Sequence, residues 1–393
     1  MAISQRSGWL AVAGVFVCVG MVLAGSSDPP SDISEVRLSQ PFINPTLGQS
    51  VTIAFEIANA GSLDARILDR DGFVVRTLAT AQPHDRGPVS LDWNGRDDAG
   101  GVVADEAYAL KLDLHTDRGT NSYFPANEVL RQVDAKTTSY NPQTGTLAYR
   151  LASPARVHLQ VGSSRLDPKT KDWVGPCLKT VVNRSPRTAG SVIEYWDGYD
   201  ESGLIYVPDL PNFAVSLVAT ELPRNAIITT GNNKVSFLEQ VEQRQRRSLL
   251  TARPASFERH TGLNAFEDVS PGLKIRPSPA RWLAEKRTWF VAESRLDLEV
   301  SLIGPSATVF QGEPGVLMVF LDDAPISKVP VRPAPLTLSV KLPKMSGPSH
   351  RLTVNWVTNN GPVAANSILI SAERAPKQGP PDAAPSVQRG GQP

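Results

Sequence analysis

Trp93-Asn94-Gly95-Arg96-Asp97-Asp98-Ala99-Gly100 returns later in the chain as Trp196-Asp197-Gly198-Tyr199-Asp200-Glu201-Ser202-Gly203. Both stretches read Trp, Asn or Asp, Gly, any residue, Asp, two more residues, then Gly. The surroundings repeat as well. Phe42-Ile43-Asn44-Pro45 and Gly48 precede the first copy, and Tyr140-Asn141-Pro142 and Gly145 precede the second. An alternating run follows each: Val51, Ile53, Phe55, Ile57 in one and Leu147, Tyr149, Leu151 in the other. A further run pairs Leu63, Ala65, Ile67 with Val157, Leu159, Val161. After each Trp motif a closing run appears, Tyr108 to Leu114 and Phe213 to Ala219.

A repeat of this length sets the architecture before any single residue does. Period-two alternation means strands with one face buried and one wet. Several such strands between turn residues predict tandem antiparallel sandwiches of the immunoglobulin type, an all-β fold. Asp71-Gly72 lies between Ile67 and Val74-Val75, a strong hairpin signal because Gly accepts positive φ. The second copy replaces this hairpin with the longer stretch from Gly162 to Cys177. Trp93 and Trp196 are expected to bury their rings between the sheets. Gly95 and Gly198 then reverse the chain, Asp97 and Asp200 bond backbone N–H groups of the next turn, and Gly100 and Gly203 close it.

These residues resemble the immunoglobulin-like domain of flagellar hook-capping proteins, a module also carried by secreted bacterial proteins. The first copy supplies Asp69-Arg70-Asp71-Gly72-Phe73-Val74-Val75-Arg76-Thr77-Leu78, the Trp93 motif and Tyr108. The second keeps Leu178-Lys179-Thr180-Val181 and the Trp196 motif. The resemblance covers roughly Val36 to Glu221 and implies a fold, not an activity, because function resides in sites.

Length and composition fit this reading. At roughly 100–200 residues per domain, 393 residues make two to four domains. The 33 prolines and 29 glycines suit short strands and turns better than long helices. A net charge of +1 gives no global field to draw in nucleic acid or anionic lipid. At the N-terminus, Arg6 precedes an apolar run from Trp9 to Leu23, with the small residues Val22 and Ala24 at the exit and Asp28-Pro29-Pro30 beyond. This arrangement predicts a secretory signal over residues 1–24. The alternative is an anchor, since the uncharged run from Ser7 to Ser27 is long enough to span a bilayer, and it would be the chain's sole membrane contact. Cleavage would leave Cys177 as the sole cysteine, so no internal disulfide is expected. It reads as a small buried hydrophobe or as a partner for another chain.

The expected organisation is sandwiches over residues 35–118 and 134–222, a basic, partly helical linker over 223–295, a third sandwich over 296–375 and a disordered tail over 376–393. The linker contains Arg244, Arg246 and Arg247, a candidate contact region among mixed charges that equally read as solvated surface. Trp356, before Asn359-Asn360-Gly361, echoes the repeat within the third sandwich.

Chemistry is sparse. His84, His115, His158, His260 and His350 show no metal-ligand spacing. No Cys-x-x-Cys, nucleophile elbow, phosphate loop or dinucleotide fingerprint occurs. No cofactor is expected, and the chain is expected not to be an enzyme. Asn94, Asp97, Asp98, Asp197, Asp200 and Glu201 are candidate calcium ligands, set against the alternative of turns stabilised by side-chain to backbone bonds. The expected function is non-catalytic binding or scaffolding at the cell envelope, outside the cell, or within a surface assembly, with a protein partner and no nucleic acid. Periplasm, cell surface and extracellular space all fit. The alternative is a carbohydrate-binding protein, for which Trp173, Trp282, Trp289 and Tyr123 are the spare aromatics and a polysaccharide the partner.

Overall fold

A computed structural model of the chain describes residues 31–372, except 128–130, 134, 167–172, 233, 236, 238, 240–270, 305–314, 332–335 and 359–360. The signal segment, the tail beyond 372, and Arg244, Arg246 and Arg247 therefore lie outside the described residues. So does the helix-forming stretch from Phe237 to Leu250, save Phe237 and Glu239.

The first module contains β1 (Ile33–Leu38), β2 (Phe42–Ile43), β3 (Val51–Ile57), β4 (Gly61–Leu68), β5 (Val74–His84), β6 (Gly87–Trp93), β7 (Ala107–Thr116) and β8 (Gly119–Tyr123). One sheet runs β1-β3-β6, and the facing sheet is built on β7-β4-β5. In β3, Val51, Ile53, Phe55 and Ile57 all face the core while Ala54 and Glu56 are exposed, as the alternation dictates. They meet Leu63, Ala65 and Ile67 of β4 and Leu110, Leu112 and Leu114 of β7.

The second module repeats this plan with β9 (Ala135–Asn141), β10 (Thr146–Leu151), β11 (Ala155–Ser163), β14 (Cys177–Arg187), β15 (Gly190–Tyr195) and β16 (Phe213–Glu221). Its sheets run β15-β10-β9 and β14-β11-β16, strand for strand the order of the first module. Between β11 and β14, the short strands β12 (Arg165–Leu166) and β13 (Trp173–Val174) pair as a ribbon in the insertion that replaces the Asp71-Gly72 hairpin.

The chain then returns. Strand β17 (Ile227–Thr229) pairs parallel with β2 and antiparallel with β7, entering the first module's sheet beside the start of β7, whose other end pairs with β8. The second module is thus inserted between two strands that share one edge of the first. Ile227 is fully buried in the first core. The Asn225 amide donates to the Val36 carbonyl (3.0 Å) and the Tyr123 hydroxyl (2.7 Å), holding the returning segment in place. Residues 223–229, expected as linker, therefore complete a sandwich.

The third module also begins earlier than residue 296. It contains β18 (Gly272–Ser278), β19 (Arg281–Leu283), β20 (Thr288–Phe290), β21 (Arg295–Ile303), β22 (Gly315–Leu321), β23 (Ala324–Val331), β24 (Leu336–Lys341), β25 (His350–Thr358) and β26 (Gly361–Ser371). Its sheets run β18-β21-β24 and β19-β20-β26-β25-β22-β23. Leu273, Ile275 and Pro277 of β18 face inward while Lys274 and Arg276 point to water. Lys274 and Arg276, which fall within the expected basic linker over 223–295, are thus the wet face of a strand. Trp356 is buried on β25, paired with Leu317 of β22, and not on β24, which occupies the position of β6 and β15. Its echo of the repeat is therefore one of residue type and not of place.

Candidate functional site: turns, joints and an aromatic hairpin

The two Trp motifs are equivalent in detail. Trp93 and Trp196 are buried, and each indole donates to a carbonyl three residues on: Trp93 Nε1 to Arg96 O (3.0 Å) and Trp196 Nε1 to Tyr199 O (2.8 Å). Trp93 packs edge-on to Tyr108, and Trp196 contacts Tyr140 and Phe213. Gly95 and Gly198 both adopt positive φ. A Cβ there would lie 2.2 Å from Pro45 Cγ and 2.2 Å from Tyr206 Cε2, respectively, so glycine is required twice over. Each turn is then pinned to the opposite sheet, Asp98 N to Val75 O (3.0 Å) and Glu201 N to Leu178 O (3.0 Å).

The aspartate and asparagine side chains of these turns are engaged with the backbone, while burial is the first cause that raises the Glu201 carboxyl, against the Lys179 charge. Asp97 Oδ1 accepts from Gly101 N (2.7 Å), and Asp98 Oδ1 from Thr77 N (3.0 Å). Asn94 Oδ1 accepts from Arg96 N, and Asp197 Oδ1 from Tyr199 N. The buried Asp200 carboxylate accepts from Leu204 N, Ile205 N and the Ser202 hydroxyl. Gly100 and Gly203 close the turns at positive φ, their N–H groups donating to Asp97 O and Asp200 O. Among the described residues, no three His, Cys, Asp or Glu side chains gather as a metal site.

The residues that sequence reasoning passed over lie between modules. In β11, Leu159 and Val161 face the second core, so Arg156, His158 and Gln160 point outward, yet all are buried. Arg156 Nη1 reaches Glu106 Oε1 of the first module at 2.6 Å, and Arg70 Nη1 holds the other oxygen at 3.1 Å. Thr229 of the returning strand donates from its N–H to Glu106 O (2.8 Å), and the Arg70 guanidinium stacks 3.8 Å from the Phe237 ring centre. Glu106 thus ties the first module to the second through its carboxylate and to the returning strand through its backbone carbonyl.

At the other end of β11, Gln160 Nε2 donates to Pro362 O of the third module (2.9 Å), and the Ser163 hydroxyl donates to Asp323. Asp323 also accepts from Asn212 Nδ2 (2.8 Å) and Arg351 Nη2 (2.7 Å). Burial would raise the Asp323 pKa, but the bonds from Ser163 and Asn212 and the Arg351 charge outweigh it and hold the carboxyl below the usual range. Beside this cluster, the Asn355 side chain mimics a strand: it accepts from Cys177 N (2.9 Å) and donates to Cys177 O (2.7 Å). Cys177 is buried, and burial first, then the Glu201 charge, pushes its thiol up to about 12. His158 stands in the same outward row. Burial, then the Arg184 charge, lowers its imidazole to about 3.

Of the four spare aromatics, the structure brings two together. Trp282 and Trp289 pair across the β19–β20 hairpin, with ring centres 5.2 Å apart and planes tilted by 57°. Tyr123 is half-buried against the first core, and the side chain of Trp173 lies outside the description.

Family comparison agrees with the first module. Residues 43–117 match the FlgD Ig-like domain. This FlgD-type domain spans β2 to β7, and the second module shares its strand order. No curated protein matches the chain. Among solved structures, it is similar to the central fibronectin-III array of RIM-binding protein at 12% identity, over 88% of this chain and 99% of that one, with a TM-score of 0.17. It is similar to trypsin-activated alpha-2-macroglobulin from Escherichia coli at 11% identity and a TM-score of 0.20, over 86% of this chain but 24% of that one. It is also similar to a tetra-tandem repeat in the extending region of a large adhesion protein at 14% identity and a TM-score of 0.19, over 87% and 75% of the two chains. None of the three bears on what this chain does.

Proposed function

We propose that the chain is an exported, non-catalytic scaffold of the cell envelope or extracellular surface, or an accessory subunit of a surface assembly, which holds binding surfaces at fixed spacing. The observation that carries this reading is that Arg156, Gln160 and Ser163 of one strand are all buried and reach two neighbouring modules, Arg156 the first and Gln160 and Ser163 the third. Beads on flexible linkers would not bury charged residues between them. Fixed geometry raises the effective concentration of a second contact once the first has formed. The signal-like N-terminus supports export. The insertion from Gly162 to Cys177, through its β12–β13 ribbon, and the stretch from Arg244 to Arg259 are the proposed protein contacts, since the facing sheets of the modules close without either the ribbon or that stretch.

Two measurements test this. N-terminal sequencing of the exported protein should begin near Gly25, and an intact Met1 on a membrane-bound product would replace export with anchoring. Solution scattering from the full chain should fit one arrangement of three modules at low and high salt. A broad distribution of spacings would sink the scaffold reading, and so would substrate turnover that is lost on changing one polar residue.

A further inference from the structure

Leaving a tryptophan half in water forgoes much of what its large apolar surface contributes when buried. Trp93, Trp196 and Trp356 follow that rule, with exposures of 1%, 4% and 1%. Trp282 breaks it at 45%. The departure is not a loose side chain. Trp282 lies directly opposite Trp289 in the hairpin register, Trp289 packs on the core of the third module, and the tilted contact between the rings fixes the outer one. The exposed indole face is therefore ordered in advance, which lowers the entropy lost on binding.

The charges around it point to one chemistry. The hairpin turns through Ala284–Lys286, and Arg287 follows at φ 48, a left-handed backbone that a long side chain rarely adopts. Arg281, Lys286 and Arg287 are exposed, against a single acid, Glu285. Among the described residues, none of the three cations makes an ion pair. Unpaired cations beside a fixed, exposed indole suit a ligand with apolar ring faces and carboxylate groups.

We propose that the β19–β20 hairpin binds an acidic polysaccharide, with a sugar ring stacked on Trp282 and uronate carboxylates held by Lys286 and Arg287. The C–H face of a pyranose covers the exposed indole, and the guanidinium and ammonium groups supply charge-assisted bonds to carboxylate oxygens. Salt weakens the contact because the cations are exposed.

The test is calorimetric titration of the full exported chain with polygalacturonate oligosaccharides. Neutral maltohexaose and phosphatidylglycerol vesicles are titrated alongside. Polygalacturonate should bind at low salt and maltohexaose should not. Trp282→Ala and the double change Lys286→Glu with Arg287→Glu should each weaken binding at least about tenfold. The double change should leave the unfolding midpoint unchanged because both cations are exposed, and Trp282→Ala should leave the module folded with its midpoint lowered only by loss of the Trp289 contact. Affinity should fall as salt rises. The proposal fails if polygalacturonate does not bind, if both variants bind like the parent chain, or if the neutral sugar binds equally well. Binding to vesicles with no binding to polygalacturonate would also overturn it, assigning the hairpin to a lipid surface.

Discussion

Replacing Asn355 with Leu should open the joint between the second and third modules. The Asn355 side chain makes two bonds to the Cys177 backbone, accepting from its N–H and donating to its carbonyl, and the residue is 2% exposed. Leucine keeps the bulk and removes both bonds. If the joint stays shut, a buried N–H and a buried carbonyl lose their partners, at about 1–3 kcal/mol each. Water satisfies them if the joint opens, so the closed state loses about 2–6 kcal/mol relative to the open one. The reporter is built in, because Cys177 faces away from the second core beside the core residue Leu178. Closed, its thiol is buried and pushed up to about 12, and almost no thiolate exists at pH 8. Open, it reverts toward the ordinary value of about 8.5, and thiolate is the reactive form. Where reclosing outpaces labelling, the rate follows the open population. Maleimide labelling of the native chain should therefore be slow and should accelerate at least roughly thirtyfold in Asn355→Leu. Trp282→Ala, on the far hairpin of the third module, should leave the rate unchanged. Equal rates in the parent chain and Asn355→Leu would refute the reasoning, as would a native thiol that labels like a free peptide.

The other predictions concern the cores, the first joint and acid. Trp93→Ala and Trp196→Ala should each cost about 3–5 kcal/mol in urea unfolding, because both rings are enclosed and both indoles hydrogen-bonded. Arg156→Met should destabilise the first joint by up to about 3–5 kcal/mol, toward the lower end since Glu106 keeps Arg70. Hydrogen exchange should then rise at β17 while the third module is unchanged. Lowering the pH below about 6.5 should progressively weaken the native state through His158. Its folded pKa of about 3 lies below the ordinary value, so the unfolded chain binds the extra proton across that window, and nothing is lost above it. Asp323, held low, adds its own loss only as pH falls through the carboxylate range. Urea midpoints between pH 7.5 and pH 5 should fall further in the parent chain than in His158→Gln.

The sandwiches were legible because their signal is local. Val51, Ile53, Phe55 and Ile57 announce a strand by themselves, and the Trp motif fixes where the next turn falls. Strand β17 was not legible, since Ile227-Ile228-Thr229 is too short to show a period and its partners are far away in sequence. Strand β18 was obscured by its wet face, where Lys274 and Arg276 read as basic linker. The aromatic pair was half legible. Trp282 and Trp289 were named with Trp173 and Tyr123, but only the hairpin register sets the first two against each other. The joints left no mark, because Arg156, His158 and Gln160 look like any outward row of an exposed sheet.

That last failure bears on how one scaffold serves two positions. Strands β4 and β11 occupy the same place in their modules. The outward row of β4 carries Asp64 and Arg66, which with Lys111 and Asp113 of β7 form a lattice of ion pairs at 3.3–3.6 Å on a half-wet face, with His115 Nε2 of β7 at 3.1 Å from Asp64. Such a face keeps its charges hydrated, and surface pairs of this kind contribute about 0–1 kcal/mol each. The outward row of β11 has one formal charge, Arg156, and that charge meets a carboxylate from another module. The next residues outward are an imidazole kept neutral by burial and an uncharged amide. The amide finds partners in Thr180 and Pro362, and an uncharged imidazole costs less to bury than a charge, even with its ring nitrogens unbonded, whereas the β4 lattice would have to be dehydrated charge by charge. The inward rows make the two modules alike. The outward rows decide that the second is enclosed by its neighbours while that face of the first remains open to solvent.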